Sequence, residues 1–180
     1  TDRAMLGLID PRWRVADLGC GTGNCTELLS PWVEGVVAVD RSEEMLDGAR
    51  SRLKTAQVGT DHISFVQGEL TDLPMKDKSV DAAVCVLVLH HLVDPVSALK
   101  EMRRVLSTQR GGGVAMIVDM CEHTNSEYRR SMGHAHLGFS QERMTGMLKE
   151  AGFGGIRMNT LRPDTSSSGP PLFAAVARVD

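Results

Sequence analysis

Val15-Ala16-Asp17-Leu18-Gly19-Cys20-Gly21-Thr22-Gly23-Asn24 is the stretch on which the reading of this chain turns. Arg14 to Leu18 is a short apolar run and reads as a strand. Three glycines then make a tight turn, and Thr26 to Trp32 reads as the start of a helix. Glycine lets a backbone pass close to a ligand where a Cβ would collide. The helix start behind the turn offers unpaired N–H groups and a positive dipole end to an anionic group. Strand, glycine turn and helix in that order make a nucleotide-type cofactor site.

Spacing selects among such cofactors. The dinucleotide fingerprint is G-x-G-x-x-G, whereas here the glycines fall at Gly19, Gly21 and Gly23, and Asn24 takes the third dinucleotide position. Val36-Val37-Ala38-Val39-Asp40 is a second β-rich run and ends in a carboxylate. It follows the glycines at the distance where βαβ nucleotide folds place an acid to accept from ribose hydroxyls. Arg41 beside it reads as a solvated charge or a stacking stem, because the glycine spacing disfavours a dinucleotide with a 2′-phosphate.

Composition bounds the class. The 180 residues suit one domain with a sizeable core. A hydrophobic share of 42% with 24% charged residues is ordinary for a soluble globular domain. Net charge is −3, and the basic doublets Arg103-Arg104 and Arg129-Arg130 are scattered, which argues against nucleic acid or a membrane surface as partner. No apolar run is long enough to span a bilayer, and no signal peptide is visible. Cys20, Cys25, Cys85 and Cys121 lack C-x-x-C spacing, the pattern of free thiols in a reducing cytoplasm. Thr1 to Asp10 is expected to be the end of a helix cut short before Pro11, as in a domain of something longer.

Further along, Ser42 caps a helix carrying Met45, Leu46, Ala49 and Leu53 at helical spacing, and Met45 can reach an adenine face or serve the core. Ile63 to Gln67 is a third strand, followed by Gly68-Glu69-Leu70-Thr71-Asp72-Leu73-Pro74. Ser79 to Leu89 is almost wholly apolar and reads as a central strand buried on both faces, ending in His90-His91. A helix from Asp94-Pro95 buries Val96, Leu99, Met102, Val105 and Leu106 on one side. After the turn Gly111-Gly112-Gly113 comes a fifth strand, Val114 to Asp119. This alternation demands a parallel sheet with right-handed crossovers and helices on both faces. Residues 121–139 break the pattern; a polar connection of that length is expected to act as a lid. A helix from Ser140 to Ala151, a strand from Gly155 to Leu161, a loop from Pro163 to Pro171 and a strand from Leu172 to Val179 close the chain as an antiparallel hairpin.

The motifs at residues 15–24, 36–46, 65–74 and 80–106 resemble those of the class I S-adenosylmethionine methyltransferases, and more closely their type-11 subgroup. The resemblance implies a Rossmann-like α/β fold: a seven-stranded sheet of order 3-2-1-4-5-7-6, the seventh strand antiparallel, with helices on both faces. It implies S-adenosylmethionine as methyl donor and S-adenosylhomocysteine as product. The cofactor residues it implies are Asp17, Gly19, Cys20, Gly21 and Gly23 in the first turn, and Asp40, Arg41 and Met45 after the second strand. Gly68, Glu69 and Leu70 follow the third strand, with Glu69 on the adenine amine and the Leu70 N–H on a ring nitrogen; Val86 and Leu87 end the fourth. Glu69 stands where the family usually has Asp. A narrower likeness runs through Val118-Asp119-Met120, Met132-Gly133-His134, His136 to Ser140 and Gly169 to Phe173. These are similar to a methyltransferase domain fused, in some bacterial regulators, behind an ArsR-type winged helix; His136 stands where that pattern has an aromatic residue. A regulator domain outside this chain is the partner this likeness implies.

Methyl transfer from a sulfonium is an in-line displacement with a neutral leaving group, so positioning dominates and a base matters only if the acceptor must lose a proton. His90, His91, Tyr128 and His134 are the acceptor-side candidates, at strand ends or on the lid, with His136 beside them. The pair His134-x-His136 has no acidic pair or cysteine at ligand spacing, so no metal is expected. Leu89-His90-His91 stands where enzymes that methylate amide or base nitrogens carry [Asp/Asn]-Pro-Pro-[Tyr/Phe]. A small-molecule acceptor is the expectation, with a turnover-free sensing module as the alternative.

Overall fold

In a computed structural model, which describes residues 9–162 and 169–179, β1 (Arg14–Leu18), β2 (Gly35–Asp40), β3 (Ile63–Gln67), β4 (Ala82–Val86) and β5 (Val114–Met120) run parallel. β7 (Leu172–Arg178) is antiparallel to both β5 and β6 (Gly154–Thr160). The sheet order is β3-β2-β1-β4-β5-β7-β6, the expected one. Its helices are α1 (Asn24–Leu29), α2 (Glu43–Thr55), α3 (Pro95–Val105), α4 (Glu127–Met132) and α5 (Gln141–Glu150).

Side chains alternate across a strand, and here both sides are apolar. Ala16, Leu18, Val37, Val39, Ala83 and Cys85 pack with Leu99 and Met102 of α3 and Met144 and Leu148 of α5. Val15, Val36, Ala82 and Val84 face the other way, with Trp13, Val33 and Leu53 of α2. That is why the central strands read as unbroken apolar runs. Side-chain caps from Ser42, Asp94 and Ser140 set the helix starts of α2, α3 and α5.

Two expectations change in detail, and a third gains its anchors. The run from Ser79 to Leu89 is not one strand: β4 stops at Val86, Leu87 takes φ 58°, and Leu89–His91 forms a 3-10 turn. Apolar content alone does not separate a strand from a buried turn. The expected helix from Thr26 to Trp32 begins at Asn24 and tightens into a 3-10 turn at Ser30–Trp32, where Pro31 interrupts it. The segment 121–139, expected as a lid, is anchored at both ends. Cys121 bridges Phe139, α4 ends at Gly133, and His134 and Phe139 are buried. The expected N-terminal helix lies outside the described residues as far as residue 8, as does the expected loop over 163–168.

Two polar anchors hold the carboxyl edge of the sheet. Asp17 is buried on β1 and accepts from Thr26 Oγ1 of α1 at 2.6 Å. Burial pushes its carboxyl up to about 6, against the pull of the Thr26 bonds. Arg104 of α3 donates to the carbonyls of Leu73 and Met75 (3.0 and 2.8 Å) and to Glu101 and Asp77. Glu101 in turn accepts from the Leu73 N–H at 2.8 Å. The loop after β3 is thus tied to α3 by one guanidinium.

Because folded Asp17 holds its proton up to about 6 and the unfolded side chain releases it near 3.8, stability falls as pH rises through that window. Asp17→Asn keeps an acceptor for Thr26 and has no proton to lose. The stability gap between this variant and the parent, followed by urea melts from pH 4 to pH 7, should grow in the variant's favour; a constant gap would mean that Asp17 ionises freely. Arg104→Ala should cost roughly 1–3 kcal/mol in the same melts, and Arg104→Lys should recover only part, since one ammonium cannot replace the planar fork.

Candidate active site

Three parallel strands deliver their carboxyl ends to one cavity of about 620 Å³. The turn after β1 contributes Gly19 and Gly21; the end of β2 contributes Asp40, Arg41, Ser42 and Met45; the loop after β3 contributes Gly68, Glu69 and Leu70. Leu87, Val88, His91 and Leu92 after β4 form the far wall, closed by Met132 and Gly133 at the end of α4.

Asp40 joins two of these turns. Its Oδ2 accepts from the Gly21 N–H at 2.9 Å and its Oδ1 from the Ser42 N–H at 3.0 Å. Each carboxylate oxygen keeps a further lone pair for a hydroxyl. Glycine is required nearby for two reasons. A Cβ on Gly19, at φ +74°, would lie 2.5 Å from Val88 Cγ2, on the cavity wall. A Cβ on Gly23, at φ +82°, would lie 2.9 Å from Ala49 Cβ, where α1 crosses α2. The first glycine shapes the cavity; the last serves packing.

Of the cofactor candidates, Gly19, Gly21, Asp40, Arg41, Met45, Gly68, Glu69, Leu70 and Leu87 line the cavity. Asp17, Cys20, Gly23 and Val86 do not. Asp17 is turned to Thr26, and Cys20 is buried with its Sγ 3.7 Å from the Gly21 carbonyl. Burial raises the Cys20 thiol to about 12, which leaves it protonated and inert at neutral pH.

On the acceptor side the structure separates the candidates. His91 lines the cavity. His90 is buried behind it, its Nδ1 2.7 Å from Asp119 Oδ1, and Asp119 also accepts from the Met120 N–H. His134 is buried too, its ring centroid 4.3 Å from that of His90 and 4.8 Å from that of His91. Tyr128 meets His134 at a tilt, with ring centroids 5.1 Å apart. Tyr128 and His134 therefore back the wall, because the turn at Gly133 tucks His134 inward and leaves Met132 on the cavity. His136 lies apart, 3.1 Å from the Arg143 guanidinium. Burial first, then the charge of His90, lowers the His91 pKa. Burial and the neighbouring imidazoles lower His134 to about 4. Both rings are neutral at pH 7, so His91 can accept a proton on the cavity wall.

Sequence reasoning overlooked Ser42, Val88, Leu92, Met132 and Gly133 as wall residues and Asp119 as the partner of His90. Met132 had one visible signal, an apolar residue on an otherwise polar helix, Glu127–Met132. Asp119 had another, an acid ending a buried strand.

Comparison with known proteins fits this geometry. A demethylmenaquinone methyltransferase of Clavibacter sepedonicus is 41% identical over 93 residues, 52% of this chain and 36% of that protein. A Mycobacterium tuberculosis protein named probable S-adenosylmethionine-dependent methyltransferase is 32% identical over 146 residues, 80% of this chain and 50% of that protein. The chain spans roughly a third to a half of the length of the curated relatives it matches. In fold, the YcgJ protein of Bacillus subtilis superposes with a TM-score of 0.78 at 19% identity, covering 99% and 98% of the two chains. The [4+2]-cyclase SpnF does so at 0.80 and 17%, covering 99% and 80%. The family model described as a methyltransferase domain matches residues 16–117, the span from β1 to β5 that builds the cavity floor and its far wall, and the chain belongs to that family.

Proposed function

We propose that this domain binds S-adenosylmethionine in the cavity and transfers its methyl group to a small organic acceptor. The observation that carries the reading is the convergence of Asp40, Glu69 and the Gly19–Gly21 backbone, from three successive strand ends, on one cavity. The residues fit the donor. A Cβ at Gly21 would meet nothing within 4 Å, so the turn leaves open room against its backbone. Asp40, held from behind by two N–H groups, presents its remaining lone pairs to the ribose hydroxyls. Glu69 and the Leu70 N–H take the adenine edge, and Met45 offers an apolar surface to its ring.

Bound S-adenosylmethionine supplies an electrophilic methyl on a sulfonium, and its neutral thioether product needs no general acid. This chain's residues then orient and exclude water. Leu87, Val88, Leu92 and Met132 make the acceptor side apolar. That lining suits a small ring or hydrocarbon-bearing acceptor, the kind the quinone-acting relative's name describes. His91 is the wall residue able to take a proton from an acceptor hydroxyl.

Calorimetric titration tests the donor: S-adenosylmethionine and S-adenosylhomocysteine should bind, and NAD should not. Asp40→Ala should weaken both by at least about tenfold, from the loss of charge-assisted bonds; unchanged affinity in a folded variant would limit Asp40 to tying the two turns. Transfer of labelled methyl to a panel of phenols and quinols tests the reaction. His91→Ala should lower kcat well beyond any change in donor affinity. Donor binding with no transfer to any acceptor would favour a sensing module.

A further inference from the structure

Behind the cavity wall, three imidazoles from two separate segments meet. His90 and His91 come from the turn after β4 and His134 from the segment after α4. Their ring centroids lie 4.2, 4.3 and 4.8 Å apart. One ligand atom from each lies within 4.8 Å of the others. We propose that His90, His91 and His134 form a binding site for a divalent transition-metal ion of the zinc class.

Three observations point the same way. First, one nitrogen is assigned by its second partner: Asp119 holds His90 at Nδ1, leaving Nε2 for a metal. A carboxylate or carbonyl on the far nitrogen is how proteins fix the tautomer of a metal-binding histidine. Second, His134 is 6% exposed, and its Nδ1 is buried without a hydrogen-bond partner. A buried polar atom left unpaired costs free energy that a ligand would recover. Third, the donor set is three imidazole nitrogens with one buried carboxylate behind them. That matches a borderline-soft ion and leaves out calcium and magnesium, which take oxygen ligands.

Tetrahedral zinc, with Zn–N distances of about 2.0–2.1 Å, sets its nitrogens about 3.4 Å apart. The cluster must therefore tighten slightly. His91, exposed and on the cavity wall, is the ring with room to move. Three protein ligands leave a fourth position open. Metal binding here needs neither donor nor acceptor, but an ion on His91 occupies the nitrogen that would take a proton, so the base role given to His91 belongs to the metal-free chain.

The test uses the whole chain, freed of metal by chelation, with Zn²⁺ titrated calorimetrically and Co²⁺ followed by its absorption spectrum. One ion per chain should bind, with a Co²⁺ spectrum of nitrogen ligation and no thiolate charge-transfer band. His91→Ala, at an exposed position, should stay folded by circular dichroism and lose at least about a hundredfold in affinity. Asp119→Asn should lose about 10–100-fold through its effect on His90. Cys121→Ser should bind as the parent does. No binding by the parent, unchanged affinity in His91→Ala, or a thiolate band would each overturn the assignment. A packed group of tilted imidazoles would then be all that the cluster is.

Discussion

The carboxylate of Asp40 is the point on which the carboxyl edge of this sheet depends. Its two oxygens hold the Gly21 and Ser42 N–H groups at 2.9 and 3.0 Å, so one side chain sets both the turn after β1 and the start of α2. Backbone amides in tight turns need acceptors once water is excluded, and here a single anion serves two turns that neighbouring strands bring together. The Gly68 N–H donates to the Asp40 carbonyl at 3.0 Å, which extends the same tie to the loop after β3. A site built this way is rigid before any ligand enters.

The faces of the sheet explain why an acid can be buried so close by. Asp17 alternates with Ala16 and Leu18 and so points at α1, where Thr26 meets it. The motif acid thus works for the fold, holding the helix that follows the glycine turn. Gly23 has the same purpose: its missing side chain lets α1 lie on Ala49 of α2. Only the front of the motif, Gly19 and Gly21, is left to face the cavity.

The opposite wall is made by a break in regularity. Leu87 leaves β4 in the left-handed region, an unfavourable place for a branched side chain. Its N–H bonds the Val118 carbonyl of β5 at 2.7 Å, which compensates the turn. The break aims Leu87 at the cavity and swings His90 onto Asp119 at the end of β5. The His136 N–H then meets the His90 carbonyl at 3.0 Å, and the segment after β5 is drawn over the site. SpnF shares this fold under a cyclase's name; chemistry in such folds resides in the wall and not in the sheet.

The strands, their order and the turns that line the cavity were legible in the sequence because local signals carry them. Alternation or unbroken apolarity marks a strand, glycine spacing marks the turn, and an acid at a strand end marks Asp40 and Glu69. The far wall was legible only in part, at Leu87 and His91, because the rest depends on which distant segments meet. Tyr128 and His134 carry equally suggestive chemistry in sequence, yet the left-handed turn at Gly133 buries one, sets the other behind it, and puts Met132 on the wall. Likewise His134-x-His136 looked like the histidine pair, while the fold sends His136 to Arg143 and brings His134 to His90 and His91. The sequence by itself determined the sheet and the turns at its carboxyl edge, whose patterns span a few residues. Only the tertiary structure decided the far wall and the imidazole cluster, since these join side chains some forty residues apart whose meeting no local periodicity records.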